Sequence, residues 1–322
     1  MLSAKFFRAM TIMTAITIRE VGIREGFQSF STVYPTEKKL QLIEYLLSTG
    51  LKTLEVTSFV RPDKVPQMAD AEELCRRLPL REGVSYTVLY LNQHGLRRAR
   101  ATEGPITVTG WLPFAASETF LRKNSNITFA QFLDSIPLWC DTFEETRTDL
   151  HGFMVSTCFG CNDEGRIEND RVCSAVDLVL ERLATVSSGP PREICVADTM
   201  GWGEPRRVAD LVRRLARGTG CDVSLHLHDT RGLGMANVMA GIESGVSIFE
   251  SSVGGIGGCP FARGATGNVA TEEIVYLCDQ LGVETGVSLS EMKHALAYLE
   301  EDIGLLGTSR WYRCEKALRR RG

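Results

Sequence analysis

Residues 15–28 read A-I-T-I-R-E-V-G-I-R-E-G-F-Q. The largely apolar first half, 15–21, predicts a buried strand, and the polar residues Arg24 and Glu25 follow where that strand ends. A doubly wound open sheet normally carries a glycine-rich phosphate-binding turn, G-x-G-x-x-G, after its first strand. The turn R-E-G-F-Q lacks that pattern, so this stretch favours a different α/β architecture.

The rest of the chain repeats this beginning, because short apolar runs recur with helix-like segments between them. Runs that are apolar almost throughout are typical of parallel strands with both faces covered. Eight such units in about 270 residues predict an α/β fold, a (β/α)8 TIM barrel with a short C-terminal helical extension; the doubly wound sheet is the second choice. Strands are predicted at 15–21, 53–59, 85–90, 106–112, 151–156, 194–198, 223–228 and 248–253, and helices at 36–48, 65–78, 93–101, 129–145, 170–185, 205–217, 235–244 and 271–281.

Three regions are predicted along the chain: a disordered N-terminal extension at 1–13, the catalytic barrel at 14–285, and a C-terminal helix with a polar tail at 286–322. The N-terminal segment includes Lys5 and Arg8. For a transit peptide, however, this segment is short and contains little arginine and serine. We therefore expect a cytoplasmic protein, and a mitochondrial one only if this N-terminus is a transit peptide.

Composition excludes several classes of partner. The chain has 322 residues, 43% of them hydrophobic and 24% charged, and a net charge of -4, which offers no basic field to nucleic acid. No run approaches the roughly 20 apolar residues of a membrane span. The ten cysteines are scattered, which predicts reduced thiols, and the pair Cys158 and Cys161 lacks the second pair that a zinc site would need.

Two of the five histidines, His226 and His228, stand two apart in V-S-L-H-L-H-D. Residues two apart on a strand share a face, and the intervening leucines suit the helix layer, so both imidazoles are expected to point into the barrel. A hydrogen-bonded pair of core histidines is the plain alternative. Glu25 after the first strand and Asn268 after the eighth converge on the same rim, and this mixed nitrogen and oxygen set suits Mg²⁺ or Mn²⁺.

The segment 254–268 reads G-G-I-G-G-C-P-F-A-R-G-A-T-G-N. So much glycine suits a mobile lid or a close approach of the backbone to a ligand. Cys259 in this segment has two open interpretations: a small buried apolar side chain, or an acid, base or nucleophile at the barrel mouth.

Several motifs together resemble one family, the hydroxymethylglutaryl-CoA lyases, which belong to the metal-dependent TIM-barrel lyases and Claisen-type synthases. The resemblance runs in order from about residue 17 to about residue 290, and the cysteine loop is its most specific part. The motifs are V-G-I-R-E-G-F-Q, T-S-F-V-x-P-x-x-V-P-Q-M-A-D, A-S-E-T-F-x-x-K-N, A-D-T-M-G-x-G, H-L-H-D-T-R-G and G-G-C-P-F-A-R-G-A-T-G-N-V-A-T-E.

This resemblance implies a divalent-metal-dependent retro-Claisen cleavage of a 3-hydroxy-3-methylglutaryl-CoA-like thioester to acetyl-CoA and acetoacetate. It implies an acyl-CoA substrate and a homodimer. A synthase that condenses acetyl-CoA with a 2-oxo acid is the alternative enzyme, and a degenerate barrel acting as a scaffold is the non-enzymatic one. The implied residues are the metal ligands Glu25, His226, His228 and Asn268, the catalytic residues Arg24, His226 and Cys259, and the pocket residues Gln28, Glu55 and Asp198.

Three positions depart from the pattern of these lyases. Glu25 stands where they usually carry aspartate, and Arg231 follows H-D-T where they usually carry an aromatic residue. The arginine that they usually carry just before the fifth strand is absent, and His151 is the nearest polar residue. These departures leave the acyl substituent of the substrate open.

Overall fold

A computed structural model describes residues 15–187, 189–258, 267–305 and 307–319. Its strands are β1 (Thr17–Glu20), β2 (Thr53–Ser58), β3 (Ser85–Leu89), β4 (Ile106–Thr107), β5 (Gly110–Ala115), β6 (Leu150–Ser156), β7 (Gly160–Cys161), β8 (Gly165–Arg166), β9 (Glu193–Ala197), β10 (Asp222–His226) and β11 (Ile248–Ser251). Its α-helices are α1 (Phe27–Ser29), α2 (Thr36–Ser48), α3 (Ala71–Arg77), α4 (Gln93–Ala101), α5 (Glu118–Ser125), α6 (Phe129–Glu145), α7 (Asn169–Ala184), α8 (Pro205–Thr219), α9 (Gly234–Glu243), α10 (Thr271–Leu281), α11 (Leu289–Tyr298) and α12 (Arg310–Arg319).

Nine strands form one parallel sheet in the order β4-β3-β2-β1-β11-β10-β9-β6-β5, and β7 and β8 form a small antiparallel hairpin outside it. The two end strands, β4 and β5, are consecutive in the chain and are separated only by Val108 and Thr109. The chain itself therefore joins the ends of the sheet, and β4 and β5 together make the fourth of eight barrel strands. The predicted (β/α)8 barrel is confirmed.

Side chains alternate between the helix layer and the barrel interior, as the strand period requires. On β10, Leu225 is fully buried in the hydrophobic core, whereas His226 lines the central cavity. On β11, Phe249 is likewise buried in the core, and Glu250 faces the cavity. The parity of the strands thus sends apolar side chains outward to the helices and several ionisable ones inward.

Several predicted elements differ in detail. The fourth strand, predicted as continuous over 106–112, is split by two residues, and the helix predicted at 65–78 is a 3₁₀ turn, Pro66–Met68, followed by α3. Proline fixes its own backbone angle and has no N–H to donate, so it suits the first turn of a helix and not the interior. Helix α5 was not predicted, because it has only eight residues; Ser117 caps it by accepting a hydrogen bond from the Phe120 N–H.

The C-terminal extension contains α11, as predicted, but the expected polar tail forms a second helix, α12. The polar residues of α12 are paired with other elements: Lys293 binds Glu315, and Arg310 binds Asp229 at 3.1 Å on the loop after β10. These partners are distant in sequence, so the charge pattern alone could not reveal them. Among the described helices, none combines the length and hydropathy that crossing a bilayer requires.

Candidate metal centre and active site

One π-helical turn, Gly22–Gly26, follows β1 and carries Arg24 and Glu25. The backbone N–H groups of both residues donate to the Val21 carbonyl, at 3.1 Å and 2.8 Å. Because this segment is a helical turn and not a strand, two adjacent side chains can reach the barrel mouth together. Single π-helical turns of this kind are frequent at functional sites.

Glu25, His226 and His228 form a buried cluster in which one potential ligand atom of each lies within 4.8 Å of the others. The two imidazole Nε2 atoms are 3.1 Å apart, and the Glu25 oxygens lie 3.6 Å from His226 Nε2 and 3.3 Å from His228 Nε2. Across the described ranges, no second group of three such residues has this geometry. The sequence placed these three residues on one rim, and the folded chain brings their ligand atoms together.

Asn268 stands beside this cluster. It forms an isolated antiparallel bridge with His228, and the neighbouring backbone supports it, since the Val269 N–H donates to the Leu227 carbonyl at 3.0 Å. Its side-chain Oδ1 is buried and has no hydrogen-bond partner. A buried acceptor without a donor is costly, so a cation is a favourable partner for this atom. The donor set of one amide oxygen, one carboxylate and two imidazoles fits a hard to borderline divalent cation.

The electrostatics of the cluster favour a negative charge on Glu25. Burial raises the pKa of Glu25, but His226 and Arg24 outweigh burial and hold this pKa well below its ordinary value. Burial lowers the pKa of His226, but the charge of Glu25 and hydrogen bonds to Glu25 and Glu250 outweigh it and raise this pKa to about 10. Glu25 is therefore ionised at neutral pH and available to a cation.

Arg24 is held next to the cluster by two carboxylates. Its Nε donates to Glu55 Oε1 at 2.5 Å, and its Nη2 lies 3.3 Å from Glu25 Oε2. Burial lowers the pKa of Arg24, but Glu55 and Glu25 outweigh burial and raise it, so the guanidinium stays charged. The result is a fixed cation immediately beside the candidate metal ligands.

A cavity of about 370 Å³ opens beside these residues, a size within the usual range for small-molecule sites. Gln28 also lines it, with its Oε1 accepting from the Ser58 hydroxyl at 3.3 Å. The cavity is lined by both charged and aromatic side chains. The charged and polar lining includes Arg24, Glu25, Gln28, Glu55, His226 and His228, and the aromatic lining includes Tyr90, Trp111, Phe114 and Phe120.

Asp198 differs from the expectation that it lines the pocket. Its neighbours Ala197 and Thr199 line the cavity, whereas its own buried carboxylate accepts hydrogen bonds from the backbone N–H groups of Trp202 and Gly203, at 2.7 Å and 2.9 Å. Burial raises its pKa, although those two N–H groups oppose the rise. Asp198 therefore shapes the loop after β9 from behind the cavity wall.

The glycine-rich segment enters the site at Gly257, and Cys259 lies outside the described residues. Gly257 has φ +125°, and a Cβ atom there would lie 2.6 Å from Asn268 Nδ2 and 3.4 Å from Glu25 Cγ. Only glycine allows the backbone to pass this close to the two side chains.

Four ionisable residues inside the barrel were not predicted as site residues. Glu250 Oε2 lies 3.0 Å from His226 Nδ1, and Arg19 binds Glu193 through two hydrogen bonds of 2.6 Å and 2.7 Å. His151 Nε2 lies 3.0 Å from Glu193 Oε2. The available signal was a charged residue in the middle of an otherwise apolar strand, as in T-I-R-E and I-F-E-S.

Two other sequence features have structural explanations. The Arg231 guanidinium lies 4.4 Å from the centre of the Trp202 ring and donates to the Met200 and Gly201 carbonyls, which joins the loops after β9 and β10. Cys158 and Cys161 are free, buried thiols, and burial raises the pKa of Cys158. That thiol donates to the Val155 carbonyl, as expected of a packed side chain.

Comparison with known proteins agrees with this geometry. The family model described as HMGL-like matches residues 15–298. The chain belongs to the HMGL-like family. The hydroxymethylglutaryl-CoA lyase YngG of Bacillus subtilis is 34% identical over 290 residues, which are 90% of this chain and 93% of that protein. The human mitochondrial hydroxymethylglutaryl-CoA lyase is 34% identical over 287 residues, 88% of this chain and 85% of the human protein.

Solved structures of this family have the same architecture. The HMG-CoA lyase of Bacillus subtilis superposes with a TM-score of 0.83 at 33% identity, covering 94% of this chain and 98% of that one. The HMG-CoA lyase of Acinetobacter baumannii, solved in complex with coenzyme A and 3-methylmalate, gives 0.82 at 31% identity, covering 93% and 95%. The resemblance first seen in the motifs is confirmed.

Proposed function

We propose that this HMGL-like protein is a divalent-metal-dependent carbon–carbon lyase. It cleaves 3-hydroxy-3-methylglutaryl-CoA, or a closely similar thioester, into acetyl-CoA and acetoacetate. The observation that carries this proposal is the convergence of Glu25, His226 and His228 beside Arg24 at the mouth of the barrel. Asn268, with its unpartnered Oδ1, completes the proposed ligand set.

A bound Mg²⁺ or Mn²⁺ would act as a Lewis acid that lowers the pKa of a substrate hydroxyl and polarises a neighbouring carbonyl. Glu25, His226, His228 and Asn268 are the residues that hold it in this proposal. Glu25 lies in the π-helical turn, and its Oε2 is 3.3 Å from Arg24 Nη2.

The first chemical event is loss of the proton from the tertiary hydroxyl of the substrate. Glu25 and His226 both line the cavity and are the two candidates for the base that accepts this proton.

The carbon–carbon bond then breaks. The hydroxyl-bearing carbon becomes the ketone of acetoacetate, and the bonding electrons form the enolate of acetyl-CoA. Arg24 stabilises the enolate oxygen, since its Nε is bound by Glu55 and its remaining N–H groups can face the cavity. A donor already fixed in place does not have to reorganise as the charge develops.

Proton delivery to the enolate carbon completes acetyl-CoA. We assign this step to Cys259, or to a water that it positions, because it stands in the glycine-rich segment next to Gly257 and Gly258 in sequence. The proton released from the hydroxyl and the proton taken up by the enolate carbon balance over the reaction.

The substrate-side assignments follow from the cavity. Gln28 and Glu55 line the cavity and contact the acyl group in this proposal. The aromatic residues of the lining accommodate the apolar part of the thioester. Asp198 acts indirectly, through the loop that it holds. We further propose a homodimer located in the cytoplasm, which size-exclusion chromatography with light scattering and imaging of the tagged protein would test.

The deciding experiment is a lyase assay with 3-hydroxy-3-methylglutaryl-CoA and a panel of thioesters with other 3-substituents. We expect acetyl-CoA production that is abolished by chelator and restored by Mg²⁺ or Mn²⁺. Cleavage that is insensitive to chelation would refute the metal mechanism. Activity only in the direction of condensation with 2-oxo acids would favour the synthase instead.

A further inference from the structure

Five ionisable side chains form a continuous line across the barrel interior and end at a proposed metal ligand. His151 lies 3.0 Å from Glu193, Glu193 binds Arg19 at 2.6 Å and 2.7 Å, Arg19 lies 4.0 Å from Glu250, and Glu250 lies 3.0 Å from His226. The interior of such a barrel is usually filled by branched aliphatic side chains, so this line is unusual. Of these residues, only His226 has a role in the proposed mechanism, although Arg19, His151 and Glu250 also line the cavity.

We propose that Glu250 and Arg19 are positioning residues of the metal centre: Glu250 orients His226, and Arg19 holds Glu250 and Glu193 in place. This inference rests on the proposed function, because it assigns roles toward the same metal site.

The role of Glu250 follows from the two nitrogens of His226. Glu250 Oε2 faces Nδ1, so Nδ1 carries the proton that this carboxylate accepts as a hydrogen bond. Nε2 faces Glu25 and His228, and a cation bound there would take the place of the Nε2 proton while Nδ1 keeps its own. A carboxylate behind a ligating histidine holds the ring in one tautomer and one orientation, and it makes the ligand more basic.

The role of Arg19 follows from the charge balance. Glu193 and Glu250 are two buried carboxylates on neighbouring parts of the barrel wall, and a buried charge without a partner costs several kcal/mol. The Arg19 guanidinium serves both. Burial raises the pKa of Glu193, but hydrogen bonds from His151 and Arg19 outweigh it and lower this pKa to about 2. Arg19 therefore links Glu193 to Glu250 and holds the carboxylate behind His226 in place.

His151 is a second partner of Glu193. The register of β5 against β6 shifts between Gly110 and Trp111, whose partners are Leu150 and Gly152, so His151 is an extra residue in β6. Its Nε2 lies 3.0 Å from Glu193 Oε2, so His151 from β6 and Arg19 from β1 contact the same carboxylate.

The test measures Mn²⁺ affinity, with free Mn²⁺ detected by electron paramagnetic resonance, on chelator-treated full-length protein. We expect Glu250→Ala to weaken binding by about 10- to 100-fold, and Glu250→Gln by less, because the amide oxygen can still accept from Nδ1. Arg19→Gln should weaken binding in the same direction. Arg19→Lys, which keeps the charge but loses the paired N–H groups, should weaken binding by less than Arg19→Gln. Arg98→Gln is the matched control, since Arg98 forms a half-buried ion pair with Glu72 outside the cavity.

The outcomes separate the roles of Glu250 and Arg19 from the proposed function. If the wild type binds Mn²⁺ and Glu250→Ala and Glu250→Gln bind it equally well, the positioning role is wrong while the proposed function stands. If the wild type itself binds no Mn²⁺, the proposed metal centre fails first. If folded Arg19→Gln or Arg19→Lys binds Mn²⁺ as tightly as the wild type, the role of Arg19 is wrong.

Discussion

Asn268 lies directly opposite His228 in an isolated antiparallel bridge, and its buried Oδ1 has no hydrogen-bond partner. Opposed residues in such a bridge bring their side chains close together, so one backbone contact joins the loop after β11 to the end of β10. The bridge thereby supplies an amide oxygen to a cluster that already contains Glu25 and His226.

Asn268→Ala should therefore weaken Mn²⁺ binding by about 10-fold or more, because it removes one ligand of the proposed set. The measurement is a Mn²⁺ titration of the chelator-treated protein. Asn162→Ala is the control, since Asn162 Oδ1 already accepts from the Trp202 ring N–H. Equal affinity of the two variants would remove Asn268 from the ligand set.

Arg24→Lys should lower kcat by about 100- to 1000-fold. A lysine keeps the positive charge but lacks the planar guanidinium, whose several N–H groups can bind Glu55 and the enolate at the same time. Mn²⁺ affinity should change little. Steady-state kinetics and a metal titration separate the two effects. The control is Arg61→Lys, because Arg61 is exposed and binds Asp63 at the surface. A rise in KM at unchanged kcat would speak against enolate stabilisation.

Cys259→Ala should cut turnover by about 100-fold or more while Mn²⁺ binding is retained, because it removes the group assigned to proton transfer. Cys314→Ala is the matched control, since Cys314 is an exposed free thiol on α12. Near-full activity of the Cys259 variant, measured at saturating substrate, would refute the assignment.

Gly257→Ala should reduce both stability and Mn²⁺ affinity, because the added Cβ would lie 2.6 Å from Asn268 Nδ2. Gly245→Ala separates the two causes: Gly245 also has a positive φ, +92°, but a Cβ there would have nothing within 4 Å. We expect Gly245→Ala to lower stability by about 1–2 kcal/mol through backbone strain alone and to leave metal binding intact. Thermal unfolding and a Mn²⁺ titration of both variants check this, and similar loss of affinity in both would contradict it.

Glu272→Gln should make stability less dependent on pH. Burial raises the pKa of Glu272 from 4.5 to about 7, although hydrogen bonds from Ser309 and the Gly254 N–H oppose the rise. Between these two values the folded state holds a proton that the unfolded state has lost, so rising pH favours unfolding, and this contribution to stability is lost by about pH 7.

The variant cannot ionise, so its free energy of unfolding relative to wild type should rise by up to about 3 kcal/mol between pH 4.5 and pH 8. Urea unfolding at several pH values measures this difference. Glu103→Gln, at an exposed loop position before β4, is the control. A constant difference across the pH range would mean that Glu272 is ionised throughout.

Much of the site was predictable because it depends on strand parity and on the rule that chemistry gathers at one rim of a barrel. His226 and His228 share a face because they are two apart, and Glu25 was expected at the same rim because it follows β1. Arg19 and Glu250 were missed, since a single charged residue within an apolar strand has no partner that the sequence can name. Arg19 and Glu250 lie close together only because β1 and β11 are neighbours in the sheet.

The amino-acid sequence by itself determined the repeated β/α pattern, the inward face of the histidine pair and the family, because each depends on residues close together in the chain or on motif order. Tertiary structure alone decided which groups actually meet. It opposed Asn268 to His228, set Glu250 behind His226, and withdrew Asp198 behind the cavity wall. The physical reason is that barrel closure and side-chain rotamers set these distances, and both depend on the packing of the whole chain at once.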